Sequence, residues 1–117
     1  MRRESLKLIW DAHHAGTAIQ EFARGRSRAD YLANLMPRSA IERQFEIIGE
    51  ALNRLAQREP DVASRIPSLR GIVGFRNQLA HGYAETDHGA VWTTVETHLP
   101  ELVKTLEGLL DEPETAS

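Results

Sequence analysis

The stretch Ser39-Ala-Ile-Glu-Arg-Gln-Phe-Glu-Ile-Ile-Gly-Glu-Ala-Leu-Asn-Arg-Leu55 decides the fold class. Its apolar residues Ile41, Phe45, Ile48, Leu52 and Leu55 stand 4, 3, 4 and 3 positions apart, which stacks them on one side of a 3.6-residue helix. Ser39 and Glu42 have capping-box spacing, so the pattern predicts a helix from Ser39 to about Glu59, closed by Pro60. Toward the amino terminus, Leu8, Ala12, Ala15, Ile19 and Phe22 repeat the same rhythm within residues 5–24. Gly25 suits the end of that helix, and Gly25 to Ser27 reads as a connection. Ser27 caps a short helix holding Tyr31, Leu32 and Leu35, which stops before Pro37. Toward the carboxy terminus, Pro60 to Pro67 reads as a loop with room for one helical turn. Leu69, Ile72, Val73, Arg76 and Ala80 then predict a fourth helix ending at Gly82. Asp87 caps a fifth, with Val91, Trp92, Val95 and Leu99 inward, and Pro100 kinks or restarts it before Leu102, Leu106 and Leu109. No segment alternates with period two, and no repeat is present. The expectation is an all-α, antiparallel bundle of about five helices. It forms one domain over residues 1–117, with residues 110–117 as a frayed polar tail.

Composition narrows the chemistry. There is no cysteine, which removes disulfides, thiolate nucleophiles and thiolate metal sites together. No apolar run approaches the ~20 residues of a membrane span. The start MRRESLKLIW lacks the continuous apolar stretch of a signal peptide, so a cytoplasmic location is the default expectation. The net charge of −3 is unevenly spread. Residues 1–84 carry 13 basic and 9 acidic side chains, or +4, whereas residues 85–117 set Lys104 against eight acids, or −7. Twelve of the 14 basic residues are arginine, whose planar fork grips phosphate in bidentate fashion. The overall charge argues against nonspecific coating of nucleic acid, while a local phosphate site stays open.

Functional side chains crowd into Gly74-Phe-Arg-Asn-Gln-Leu-Ala-His-Gly-Tyr83. On a helix, Asn77 and His81 are four apart and share a face. Arg76 and His81 are five apart, which splays them by roughly 140° at regular pitch. They converge only if the helix ends near His81 or if a second chain supplies one of them. These residue types suit RNA cleavage without a metal. The ribose 2′-hydroxyl attacks the adjacent phosphate once a base takes its proton, and histidine can serve as base or acid. A positioned arginine stabilises the extra negative charge of the phosphorane more than that of the ground state. Asn77 can orient the histidine or donate to a phosphate oxygen. No cofactor is called for.

Arg76, His81 and Tyr83, with Asn77 following the arginine, resemble the signature of HepT-like toxins within the HEPN superfamily. The run from Ile41 to Ala51, Val91-Trp92, and Leu99-Pro-Glu-Leu102 look like further helices of that family, so the likeness covers Leu6 to Leu110. The resemblance implies an endoribonuclease toxin that dimerises so that two motifs build one cleft. It further implies an antitoxin partner resembling minimal MntA-type nucleotidyltransferases, which transfer AMP onto the motif tyrosine, here Tyr83. On this reading Arg76 and His81 are catalytic and Asn77 assists. The alternative from another class is a non-catalytic HEPN module that binds nucleotide or a nucleotidyltransferase partner. Retention of both Arg76 and His81 favours the enzyme. A purely structural helical dimer leaves the polar cluster unexplained.

The remaining candidates have quieter readings. Glu46 and Glu50 lie one turn apart beside the apolar row, and either brace Arg76 or Arg43 or are simply solvated. His13 and His14 read as exposed or half-buried residues of the first helix. His81 and Glu85 have metal-ligand spacing, but Gly82 interrupts the helix and no further ligands are evident, so no metal is expected. Gly49 inside a helix costs ~1 kcal/mol relative to alanine, which points to a close helix crossing. Trp10 and Trp92 are core or interface candidates.

Overall fold

Among the described residues seven helices follow one another: α1 (Arg3–Ala23), α2 (Arg28–Ala33), α3 (Leu35–Arg58), α4 (Pro60–Ala63), α5 (Leu69–His81), α6 (His88–Thr97) and α7 (Leu99–Leu110). The computed structural model describes residues 1–67, 69–81 and 86–112, and the side chains of Gln78, Ala80 and His81 lie outside the described set. Among the described residues there is no strand, and no helix is long and apolar enough to cross a membrane. The chain is an all-helical bundle, as its periodicity predicts.

Helix α3 is its axis, packed on α1 along one side and on α5 along another. Ile41, Phe45, Ile48, Leu52 and Leu55 are all fully buried there. Burial of each such side chain contributes about 1.5–3 kcal/mol, whereas helix propensities differ by tenths of that per residue. Packing therefore holds α3 together across Gly49. Helix α7 lies against α1, and α6 bridges α7 and α2. Helices α3 and α5 run antiparallel. Ala56 of α3 shares a hollow with Leu69, Gly49 meets Ile72 and Arg76, and Phe45 meets the Phe75 ring edge-on at 6.2 Å.

Several boundaries differ from the sequence expectation. Helix α3 begins at Leu35 rather than Ser39, and Pro37 sits inside its first turn. Proline is tolerated there because the N–H it lacks has no intrahelical acceptor in a first turn. Ser39 is thus an exposed mid-helix residue, and Glu42 is buried rather than capping. Leu35 moves from the short helix to α3, where it is 67% exposed. The inward stripe of α1 is also rotated: Ser5 and Ile9 are buried, Leu8 is half-buried and Phe22 is exposed. The prolines at 60 and 100 both open helices, giving the extra turn α4 and splitting the last helix into α6 and α7. About five expected helices thus become seven among the described residues. Other local signals act as read. Ser27 and Asp30 form a complete capping box, Gly25 takes φ +74° after α1, and the Asp87 carboxylate accepts from the Ala90 N–H at 3.0 Å. Gly82 and Tyr83, Glu85, and most of the tail fall outside the described residues.

Candidate functional site

Arg76 projects from α5 across α3, and two consecutive α3 residues set its place. Gly49 supplies the space: a Cβ there would stand 2.3 Å from Arg76 Cβ and 2.9 Å from its Cγ. Real Cβ atoms do not approach so closely, so only glycine lets the stem of Arg76 lie on the helix. Glu50 supplies the direction, its Oε2 accepting from Arg76 Nη2 at 2.7 Å. Arg76 Nη1 also donates to Asn77 Oδ1 at 3.0 Å. Asn77 therefore braces the arginine here, and its carbonyl oxygen faces the guanidinium. The Glu50 carboxylate is shared, since its Oε1 accepts from Arg54 Nε at 2.9 Å. One turn earlier, Glu46 accepts from Arg43 Nη1 at 3.2 Å. Of the readings open for the two glutamates, pairing is what the structure contains: Glu50 with Arg76 and Glu46 with Arg43. Arg43, Glu46, Glu50, Arg54 and Arg76, with Leu8 of α1, line an open hollow of about 340 Å³. Arg76 is about one-third exposed into it, so its guanidinium is held yet reachable by an anion.

Helix α5 continues through His81, its last residue. The backbone positions of Arg76 and His81 are therefore splayed by roughly 140° about one axis. The His81 side chain and Tyr83 lie outside the described residues, as does the His81–Glu85 spacing. Among the described residues no group of His, Asp and Glu is placed to hold a metal ion.

A second polar cluster escaped the sequence reading. Glu42 is 4% exposed, and its Oε2 accepts from the Tyr31 hydroxyl at 2.6 Å and faces His88 Nδ1 at 2.5 Å. Burial, and then the hydrogen bond to Glu42, push the Tyr31 phenol well above its ordinary range, so it remains a neutral donor. Its ring stacks on Trp92 at 5.1 Å. The cluster ties α2, α3 and α6 together just after the motif segment. Glu42 is legible from sequence only in hindsight, at a position seven before Gly49 and hence on the same face of α3. Glu42→Ala should destabilise the fold by about 2–4 kcal/mol, because the buried Tyr31 hydroxyl and the half-buried His88 ring both lose their partner. Thermal unfolding checks this, and an unchanged Tm would mean that water replaces the carboxylate freely.

Comparison with known proteins bears on this arrangement. Residues 12–109 match the profile of a family described as ribonuclease HepT-like. A protein of Thermococcus cleftensis named "Probable ribonuclease HepT" is 30% identical over 109 residues, covering 93% of this chain and 98% of its own. A protein of Caldanaerobacter subterraneus named "Putative RNase" is 30% identical over 92 residues, or 79% and 81% of the two chains. Another of that name, from Methanocaldococcus jannaschii, is 24% identical over 115 residues, or 97% and 93%. No solved structure matches.

Proposed function

The chain belongs to the ribonuclease HepT-like family, and from that premise we propose that it is a metal-independent endoribonuclease toxin whose reaction centres on Arg76 and His81. The observation that carries this reading is the fixing of Arg76 by Gly49 and Glu50 at the edge of an open hollow. An arginine braced in this way is pre-organised for an anion, and pre-organised charge is what stabilises a phosphorane. The 2′-hydroxyl oxygen attacks phosphorus while His81 moves a proton, and the bond to the 5′-oxygen breaks. A 2′,3′-cyclic phosphate and a 5′-hydroxyl result. Asn77 assists by orienting Arg76, and Glu50 holds the guanidinium until substrate phosphate competes for it.

Because α5 ends at His81, one chain could still bring Arg76 and His81 together, and the route proposed is instead a homodimer in which the segment Arg76 to Tyr83 lines a groove shared by two chains. The proposed partner is an MntA-like nucleotidyltransferase that transfers AMP to the Tyr83 hydroxyl. The added phosphate and nucleoside would repel and block RNA.

The purified chain, assayed on bulk cellular RNA with a chelator present, should leave cyclic phosphate ends. Loss of cleavage with the chelator would refute the metal-independent mechanism. Incubation with the partner enzyme and ATP should add one adenylate by intact mass and silence the wild type. Tyr83→Phe should keep its activity and gain no mass, and an adenylate on that variant would remove Tyr83 from the switch.

A further inference from the structure

The hollow at Arg76 does not end there. A second hollow of about 330 Å³ shares Leu8 and Arg54 with it, so the two form one groove along the seam of α1 and α3. The second part is lined by Arg3, Lys7, Arg54 and Arg58, against the one carboxylate of Glu4. Charge is distributed differently along the two halves. Near Arg76, three arginines face three carboxylates, and Arg43, Arg54 and Arg76 each engage Glu46 or Glu50. In the far half, four cations face one acid. Lys7 pairs with Asp11 at 2.9 Å, while the side chains of Arg3 and Arg58 have no hydrogen-bond or ion-pair partner among the described residues. Among the described residues, none beyond Arg76 lines either hollow. From Arg43 to Arg58 the α3 wall spans 15 residue steps, or about 22 Å at 1.5 Å per step.

We propose that this groove is a backbone-tracking site for single-stranded RNA, which leads the strand away from the phosphate held by Arg76 and anchors it on Arg3 and Arg58. The proposal deepens the ribonuclease reading and rests on it for the identity of the strand. The chemistry favours a phosphodiester chain over an acidic protein. The cations lie in file along one channel that opens at the arginine assigned to the reaction, and most carry the fork that matches phosphate oxygens. Unpaired cations far from the reacting phosphate supply binding energy that helps orient the strand, while those beside it are held in position by glutamates. A net charge of −3 then coexists with RNA binding, because the attraction is local.

The test uses the full chain and a 2′-O-methyl oligoribonucleotide, which binds without being cut. The Arg3→Ala/Arg58→Ala variant should bind it on the order of tenfold more weakly at moderate salt. The slope of log affinity against log salt should become shallower by about 1.4, as expected for two lost phosphate contacts on a single strand. Cleavage of a short dinucleotide substrate, which contacts only the reacting end, should be unchanged. An Arg24→Ala/Arg26→Ala variant removes the same charge from the turn after α1 and should bind as the wild type does. Wild-type affinity in the groove variant would overturn the proposal, and so would an equal loss in the control. Displacement of the strand by poly-glutamate at matched charge would reassign the groove to an acidic protein and overturn it too. A wild-type chain that binds the strand yet cuts no RNA would instead defeat the ribonuclease reading and leave the groove standing.

Discussion

Gly49→Ala is expected to lower stability by about 2 kcal/mol and to depress RNA cleavage well beyond what that loss explains. Two effects oppose each other at this position. Replacing a mid-helix glycine gains about 0.5–1 kcal/mol from backbone entropy, but the new methyl would lie 2.3 Å from Arg76 Cβ and 3.3 Å from the Ile72 carbonyl oxygen. Neither neighbour is the tip of a flexible side chain, so α5 itself must retreat from α3. Overpacking of that kind costs about 1–3 kcal/mol, and the clash is severe enough to place the cost at the upper end. Retreat of α5 also draws the Arg76 guanidinium away from Glu50, and a misplacement of about 1 Å can cost a hundredfold in rate. Gly71→Ala provides the contrast. It lies on α5 with nothing within 4 Å of its added carbon and should be neutral or stabilising. Denaturant unfolding of both variants, with single-turnover cleavage, checks the pair. A Gly49→Ala chain as stable and as active as wild type would mean that the close crossing is not what positions Arg76.

The same residue shows how far the sequence could be read. Gly49 in an otherwise strong helix marks a close crossing, and the periodicities of α1, α3 and α5 name the helices that could cross. What periodicity leaves open is which side chain lies over the glycine and which glutamate reaches it, because both depend on the antiparallel register of α3 against α5. That register depends on long-range packing such as Phe45 on Phe75. The start of α3 at Leu35 departs from the expected Ser39 for a related reason. A proline near a helix start is compatible with either a stop or a first turn, and the local signals Ser39 and Glu42 favoured the later start. Tertiary packing settled the choice by burying Glu42 under Tyr31 and His88. The groove leading to Arg3 and Arg58 is equally hidden, since its facing residues, Arg3 to Leu8 on α1 and Arg54 to Arg58 on α3, stand about 50 positions apart in the chain.

Arg76→Ala and His81→Ala chains should each lose cleavage by at least about a hundredfold while remaining helical, yet an exchanged mixture of the two should recover activity. The individual losses follow from the roles proposed. Removing one pre-organised donor from a site where charge develops costs about 100- to 1,000-fold, and a missing proton-transfer group costs a similar factor. The recovery follows from the helix. With α5 unbroken from Leu69 to His81, the two positions are splayed by roughly 140°, and the guanidinium of Arg76 is held on the α3 side by Glu50. A two-fold axis would set the Arg76 of one chain against the His81 of its partner, which removes the need for one helix to present both to the same phosphate. In an equal mixture half the dimers are mixed, and one of the two sites in each is intact. The recovered activity should therefore approach roughly a quarter of wild type for an isologous pair. Subunit exchange is confirmed by mass-tagging one variant. Absence of recovery after confirmed exchange would mean that each chain supplies its own arginine and histidine. A strictly monomeric active species in sedimentation at assay concentration would defeat the shared cleft altogether.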